Sequence, residues 1–386
     1  MPPTPLTPAR STPKNGRPKR NGGSASIEPI AIDLALQGGG SHGAYTWGVL
    51  DRLLEDETLA FDGVSGTSAG ALNAAVLATG MAQGGRAGAQ AALRAFWLEV
   101  SEGGACFGAA PGYHGLAGMP TLPLLPPYGL ASFNLDWHPA FRWFQQFLQT
   151  FSPYQFNPLN LDPLREIVLR HVQPQALREG PLELFITATA VQSGQPRVFD
   201  KHDLSIDALM ASACLPHLFR AVIIEGPGGG PPEPYWDGGY TGNPALWPLI
   251  YNTAPLDILL VQINPRLRMG TPETRLEIDD RLAEITFNAA LGGELRAIAF
   301  VQKLFAERRI DIGAYKNLRL HGIFGDTALA ELHASSKLNT ERDFLLRLYD
   351  LGHAAAEAWW QANRAKLGRE ATLDARQTFL AARAQS

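Results

Sequence analysis

Residues 61–78 read Phe61-Asp62-Gly63-Val64-Ser65-Gly66-Thr67-Ser68-Ala69-Gly70-Ala71-Leu72-Asn73-Ala74-Ala75-Val76-Leu77-Ala78. The first five residues read as a strand, and the run from Ala71 reads as a helix. Between them lies Gly66-Thr67-Ser68-Ala69-Gly70. A serine on so tight a strand-to-helix turn points its hydroxyl into open space, and the turn closes only where glycines remove Cβ clashes. The following helix aims its positive dipole end and free N–H groups at the same point. Two structures fit the pentapeptide. One is the nucleophile elbow of a serine acyl hydrolase, with Ser68 as nucleophile. The other is a small-residue turn that packs a helix against a sheet.

Upstream, Ile30-Ala31-Ile32-Asp33-Leu34-Ala35-Leu36 is short, apolar and bounded by glycine, as a buried strand should be. A helix is predicted from about Gly43. The order strand, Gly loop, helix, strand, Gly elbow, helix implies parallel strands joined by right-handed crossovers, hence an α/β fold with a mostly parallel sheet. Further strands are predicted over 183–191, 197–199, 221–225 and 257–263, with 226–234 as a Gly/Pro turn. Helices are predicted over 206–214, through about 282–308, and after a capping box at Thr340 and Asp343. This divides the chain into an α/β unit over 28–265 and a helical C-terminal extension, 266–386, packed on the same domain. Residues 103–163 form an insert rich in proline and aromatic residues, either a cap on the core or a lid and acyl-binding wall. Within it, Trp137 to Phe151 is predicted as an amphipathic helix.

The chain has 386 residues, 45% of them hydrophobic, enough for a full core. Its net charge of −4 gives no global field favouring nucleic acid. Two cysteines, Cys106 and Cys214, form no disulfide framework, which fits a reducing, cytoplasmic setting. No apolar run is long enough to span a bilayer. Residues 1–27 carry five basic residues and no acid before Glu28, among many Pro, Ser, Thr and Gly. This is the composition of a disordered tail, with a weak electrostatic tether to anionic lipid as the sharper reading. It lacks the apolar middle of a secretory signal.

A serine at its ordinary pKa needs a base, and the anion it creates needs donors. Gly38-Gly39-Gly40-Ser41-His42-Gly43 supplies candidate donors, because consecutive glycines let N–H groups crowd around one anion. The same loop matches G-x-G-x-x-G through Gly38, Gly40 and Gly43, with Asp62 where a ribose ligand could lie, so a dinucleotide site is the competing reading. Two Gly-rich turns at consecutive strand ends suit one oxyanion site and one nucleophile better. For the base, Asp237 in Tyr235-Trp236-Asp237-Gly238-Gly239 stands out, although Asp-Gly-Gly alone is an ordinary turn. A Ser–Asp–His triad is the alternative, with His217, His321, His333 or His353 as its third member. No His, Cys or acid cluster has ligand spacing, so no metal or other cofactor is expected.

Taken together, these elements resemble the patatin-like phospholipases. The Gly38–Gly43 loop, the elbow from Gly66 to Gly70, and Asp237-Gly238-Gly239 occur in that family's order. Ala211-Ser212-Ala213-Cys214-Leu215-Pro216 resembles its helix-and-proline segment before the acid. The resemblance covers about residues 30–265. It implies a three-layer α/β/α fold and a Ser–Asp dyad, Ser68 as nucleophile and Asp237 as base, acting through an acyl-enzyme on a lipid ester. It also implies an oxyanion hole from the amides of Gly39, Gly40 and Ser41, and peripheral contact with membranes. The family usually has Arg or Lys where this chain has His42, which makes His42 a candidate head-group contact. A non-catalytic lipid-binding protein on the same fold is the alternative from another class.

Overall fold

The computed structural model describes residues 29–103, 130–310 and 315–380. The basic tail and much of the insert, with Cys106, lie outside the described residues.

The first strand, β1 (Ile30–Leu36), is buried from Ile32 onward. Its sequence lacks polar alternation because both faces are covered. The one charged residue in it, Asp33, accepts from the Gly63 N–H (2.9 Å) and the Thr253 hydroxyl (2.6 Å), and burial pushes its pKa up to about 7. After α1 (Gly43–Leu54) the chain returns through β2 (Leu59–Thr67) into α2 (Ala69–Gly103). Helix α2 is kinked at Gly84 and Gly85, whose backbone is non-helical. The described part of the insert holds α3 (Pro139–Thr150), where the amphipathic helix was predicted. Then come α4 (Pro163–His171), β3 (Glu183–Ala190), β4 (Pro196–Phe199), α5 (Ile206–Ser212), β5 (Val222–Gly226), β6 (Gly230–Asp237), β7 (Asp257–Gln262), α6 (Arg275–Ala306), β8 (Arg319–Phe324) and α7 (Arg342–Asn363).

These eight strands form one mixed sheet. Its parallel core runs β3-β2-β1-β7-β8, and β4, β6 and β5 join antiparallel beyond it. Alternate residues of the core strands enter two separate hydrophobic clusters. Leu34, Leu36, Leu259 and Val261 pack with Trp47, Leu50, Phe344 and Leu348. Ala35, Ile258 and Leu260 pack with Leu291, Leu295 and Ile298 of α6. The sheet is therefore covered on both faces, which gives the three-layer α/β/α architecture. On the first face α1 and α7 cross so closely that a Cβ on Gly48 would sit 2.0 Å from the Tyr349 carbonyl oxygen, and one on Gly352 1.9 Å from that of Tyr45. Glycine is the residue both positions can hold.

Three features differ from the sequence reading. The Gly/Pro stretch expected as a turn is mostly β6. Its prolines, Pro231, Pro232 and Pro234, sit in the outer part of the sheet, where a missing N–H is tolerated. Strand β8, Arg-Leu-His-Gly-Ile-Phe, has no apolar pattern that signals a strand. Its polar members are satisfied in place: Arg319 and His321 both bind the Asp257 carboxylate. Thus the C-terminal stretch is mostly helical and also gives the sheet a strand. Finally, α7 starts after Glu341 without a side-chain cap, so Thr340 and Asp343 form no capping box.

Candidate active site

Ser68 follows the last residue of β2 and lies in the left-handed region, with φ of +54°, a conformation that is costly for a residue bearing a Cβ. The surrounding glycines leave it no other path. A Cβ on Gly70 would lie 2.1 Å from the Leu36 carbonyl oxygen, and one on Gly66 2.6 Å from that of Gly70. The Ser68 N–H donates to Ser212 Oγ (2.9 Å), which in turn donates to the Thr187 carbonyl (2.6 Å). Asn73 in the next helical turn braces the elbow by donating to the Gly43 carbonyl (3.0 Å) and accepting from the Trp97 indole (2.9 Å).

The Gly38–Gly43 loop lies directly against the elbow. A Cβ on Gly38 would meet Ser68 Cβ at 2.6 Å, and one on Gly43 would meet Ala69 Cβ at 2.7 Å. The Gly38 N–H is occupied by Asn243 Oδ1 (2.7 Å). Gly39 caps a 3₁₀ turn, Gly40–His42, whose first N–H groups have no partner within the turn. Buried Gln37 fixes the base of the loop: its oxygen accepts from Ile263 and Asn264 N–H (2.9 and 2.7 Å), and its amide donates to Asn288 (2.9 Å).

Asp237 is brought in by strand register. Along β3, Thr187 pairs with Thr67 and the next residue, Ala188, pairs with Asp237. A Cβ on Gly238 would lie 2.0 Å from the Thr187 carbonyl oxygen, so the chain after the acid runs flush against β3. The Asp237 carboxyl is 1% exposed. Its Oδ1 accepts from the Gly239 N–H (2.7 Å), and Oδ2 has no conventional hydrogen-bond partner among the described residues. Burial pushes its pKa up to about 6, against the Gly239 N–H, the Ser68 hydroxyl and the Lys337 ammonium, which act the other way.

Gly38, Gly39, Gly40, Ser68 and Asp237 line one narrow cleft of about 40 Å³, with Asn243, Phe287, Lys337, Ala213, Leu215 and Leu338 completing the wall. Ser68 is 9% exposed there. In the loop that a dinucleotide pyrophosphate would need, the Gly38 N–H is already taken by Asn243 Oδ1. Asp62, the candidate ribose ligand, instead accepts from the Ala254 N–H (3.1 Å).

Two predicted residues stand elsewhere. Ser41 is buried behind the loop and does not line the cleft. His42 is corrected as a head-group contact: it is buried, and its Nε2 binds Ser336 Oγ at 2.8 Å. That hydroxyl donates its proton to the His333 carbonyl (2.7 Å), so Nε2 carries a hydrogen and donates it to Ser336. Burial, with Lys337 and Arg268 nearby, holds its pKa well below the usual histidine value.

None of the four triad candidates lines the cleft. His321 is bound to Asp257 and Thr372, His333 to Asp136 and His353 to Glu55, and His217 is exposed. Asp51, Glu55 and His353 meet at metal-ligand spacing where α1 packs on α7. Their sequence separation hid the cluster. The sequence reading also missed Lys337, Asn243 and Asn264, polar residues from distant segments with no motif around them.

A search of curated protein sequences returned no significant match. Among solved structures, VipD from Legionella pneumophila is similar at 12% identity and a TM-score of 0.36, over 91% of this chain and 73% of that one. Full-length ExoU of the Pseudomonas aeruginosa type III secretion system, solved with SpcU, is similar at 15% identity and a TM-score of 0.29, over 86% of this chain. The chain spans about half of ExoU, 53% of its length. The family model for patatin-like phospholipases matches residues 34–259, which is most of the sheet and every element of the cleft except Phe287, Lys337 and Leu338. The chain belongs to the patatin-like phospholipase family.

Proposed function

We propose that the protein hydrolyses carboxylic esters of lipids with a Ser68–Asp237 dyad. Ser68 Oγ attacks the acyl carbonyl carbon while its proton passes to Asp237. The carbonyl oxygen takes up the negative charge and faces the amides of Gly39 and Gly40, with that of Ser41 behind them. Collapse expels the alcohol, which leaves with the proton from Asp237. Water then attacks the acyl-enzyme, gives its proton to Asp237, and the fatty acid departs as the Ser68 hydroxyl re-forms.

The observation that carries this reading is the carboxylate oxygen of Asp237 left without a conventional partner among the described residues, in the same cleft as the strained Ser68. A pKa of about 6 makes Asp237 a stronger base than an ordinary aspartate by roughly 3 kcal/mol of proton affinity. That is modest for activating an alcohol, so the loop amides carry much of the barrier reduction, at roughly 2.7–4 kcal/mol per donor. The exposed apolar side chains Trp143, Leu159, Leu161 and Leu169 support peripheral contact with a lipid surface. Among the described residues no helix is long and apolar enough to cross a membrane. Residues 28–265 would form the hydrolase unit, with 266–386 an extension that completes both sheet and cleft.

A fluorophosphonate probe should label the wild type and leave Ser68→Ala unlabelled. A panel of lipid esters should be cleaved by the wild type and by neither Ser68→Ala nor Asp237→Asn. Labelling that survives in Ser68→Ala, or full turnover by Asp237→Asn, would remove the dyad.

A further inference from the structure

We propose that Lys337 selects a phosphate-bearing ester, its ammonium receiving the phosphate of a phospholipid while the acyl ester lies at Ser68. This rests on Ser68 as the nucleophile and adds the class of lipid that the site accepts.

Lys337 comes from the C-terminal stretch, outside the family-matched residues, and is part of the cleft wall beside Ser68, Asp237 and the glycine loop. Its backbone is clamped to that loop. Gly40, at φ of +59°, approaches so closely that a Cβ there would lie 2.4 Å from the Lys337 carbonyl oxygen. The preceding residue, Ser336, holds His42 on the other side. The position of residue 337 is thus set by the loop that faces the reacting carbonyl.

The ammonium is aimed as well as placed. Lys337 Nζ donates to Asn264 Oδ1 (2.7 Å), and Asn264 Nδ2 donates to the Gly38 carbonyl (2.6 Å). The Phe287 ring stands 6.0 Å from Nζ. A lysine ammonium has three donors, and this bond uses one. Among the described residues no carboxylate reaches ion-pair distance of Nζ. The nearby Glu284 is already shared by Arg268 and Arg281. Two donors therefore remain for an anion entering the cleft.

Charge balance favours that use. His42 is buried against Ser336 with its pKa held low, and among the described residues lining the cleft Lys337 is the one cationic side chain. The other charge there is Asp237, which is neutralised each time it takes the serine proton. Burial disfavours the Lys337 charge, and Glu284 and Asp280, neither at ion-pair distance, favour it. When Asp237 is protonated the ammonium loses one of its compensating charges, and a phosphate is the anion a phospholipid offers next to its ester. Charge-assisted hydrogen bonds to phosphate are among the strong ones, and a half-buried site weakens their screening.

The test separates this inference from the catalytic one by measuring binding on a Ser68→Ala background. Calorimetry with monomeric dihexanoylphosphatidylcholine should show binding to Ser68→Ala, weakened about 10-fold or more by adding Lys337→Met and largely kept with Lys337→Arg. Binding of dihexanoylglycerol, which lacks the phosphate, should stay within about twofold in all three proteins. Thermal unfolding checks that each variant folds, and Lys337→Gln serves in the same comparison if Lys337→Met does not. Phospholipid affinity unchanged without the lysine, equal weakening of both ligands, or no phospholipid binding to Ser68→Ala would each overturn the proposal. Failure of fluorophosphonate to label the wild type would instead strike the nucleophile reading and leave the binding comparison standing.

Discussion

Thr67 and Asp237 are successive neighbours along one edge of β3, Thr67 opposite Thr187 and Asp237 opposite Ala188. Strand β4 occupies the other edge at both residues, pairing Val198 with Thr187 and Arg197 with Ala188. So β2 turns away at the elbow and β6 takes its place on the same edge. Ser68 is the first residue of that departure, and Asp237 is the last residue of the arriving strand. The hand-over brings an alcohol and an acid from distant parts of the chain to one point.

That burial gives Asp237 a pH signature. Activity through an ionised base should rise with pH through about 6, with kcat/KM at pH 5 roughly tenfold below its plateau. Stability should move the opposite way. The unfolded chain releases this proton near pH 4 and the folded one near 6, so the wild type loses stability as pH rises between them. Asp237→Asn avoids that cost. It should be inactive, yet more stable than the wild type at pH 8 by on the order of 2–3 kcal/mol, with little difference below pH 4. Denaturant unfolding at the two pH values checks this.

The left-handed backbone at Ser68 predicts an order among inactive variants. Ser68→Gly relieves the Cβ clash that Ser68→Ala keeps, so the glycine variant should be the more stable by ~1 kcal/mol. Equal stability, or a less stable glycine variant, would show that the strain is absent.

Ser212 holds the elbow from beneath without lining the cleft. Ser212→Ala leaves the Ser68 N–H and the Thr187 carbonyl each without this partner. We expect a loss of roughly 1–3 kcal/mol in stability. Turnover should fall about tenfold with KM little changed, because the nucleophile is less well positioned. Unfolding and steady-state kinetics on one ester measure both.

Replacing His321, His333 or His353 by Gln should leave ester turnover within about threefold, since each is committed to another acid away from the cleft. His321→Gln should still destabilise by roughly 1–3 kcal/mol, because it breaks a buried bond to Asp257. The His321 and Arg319 side chains, against the opposing effect of burial, hold the Asp257 carboxyl well below the usual range. That group contributes stability above about pH 4, lost as pH falls toward its folded value, so His321→Gln should also shrink the acid-induced part of the unfolding curve. A loss of several orders of magnitude in turnover for one histidine alone would restore the triad.

The sequence by itself determined the local geometry. Glycines at 38, 66 and 70 permit backbone approaches of a kind no other residue allows, and the apolar runs of β1 and β7 could only be buried strands. Those are short-range constraints, written in neighbouring residues. Tertiary structure alone decided what surrounds the elbow. The polar strand β8 is stabilised by partners on β7, the proline-bearing β6 is tolerated because of where it lies in the sheet, and Lys337 reaches the cleft because a glycine 297 positions earlier leaves room for its backbone. Such contacts depend on which segments the sheet brings together, and no periodicity or motif in the chain encodes that.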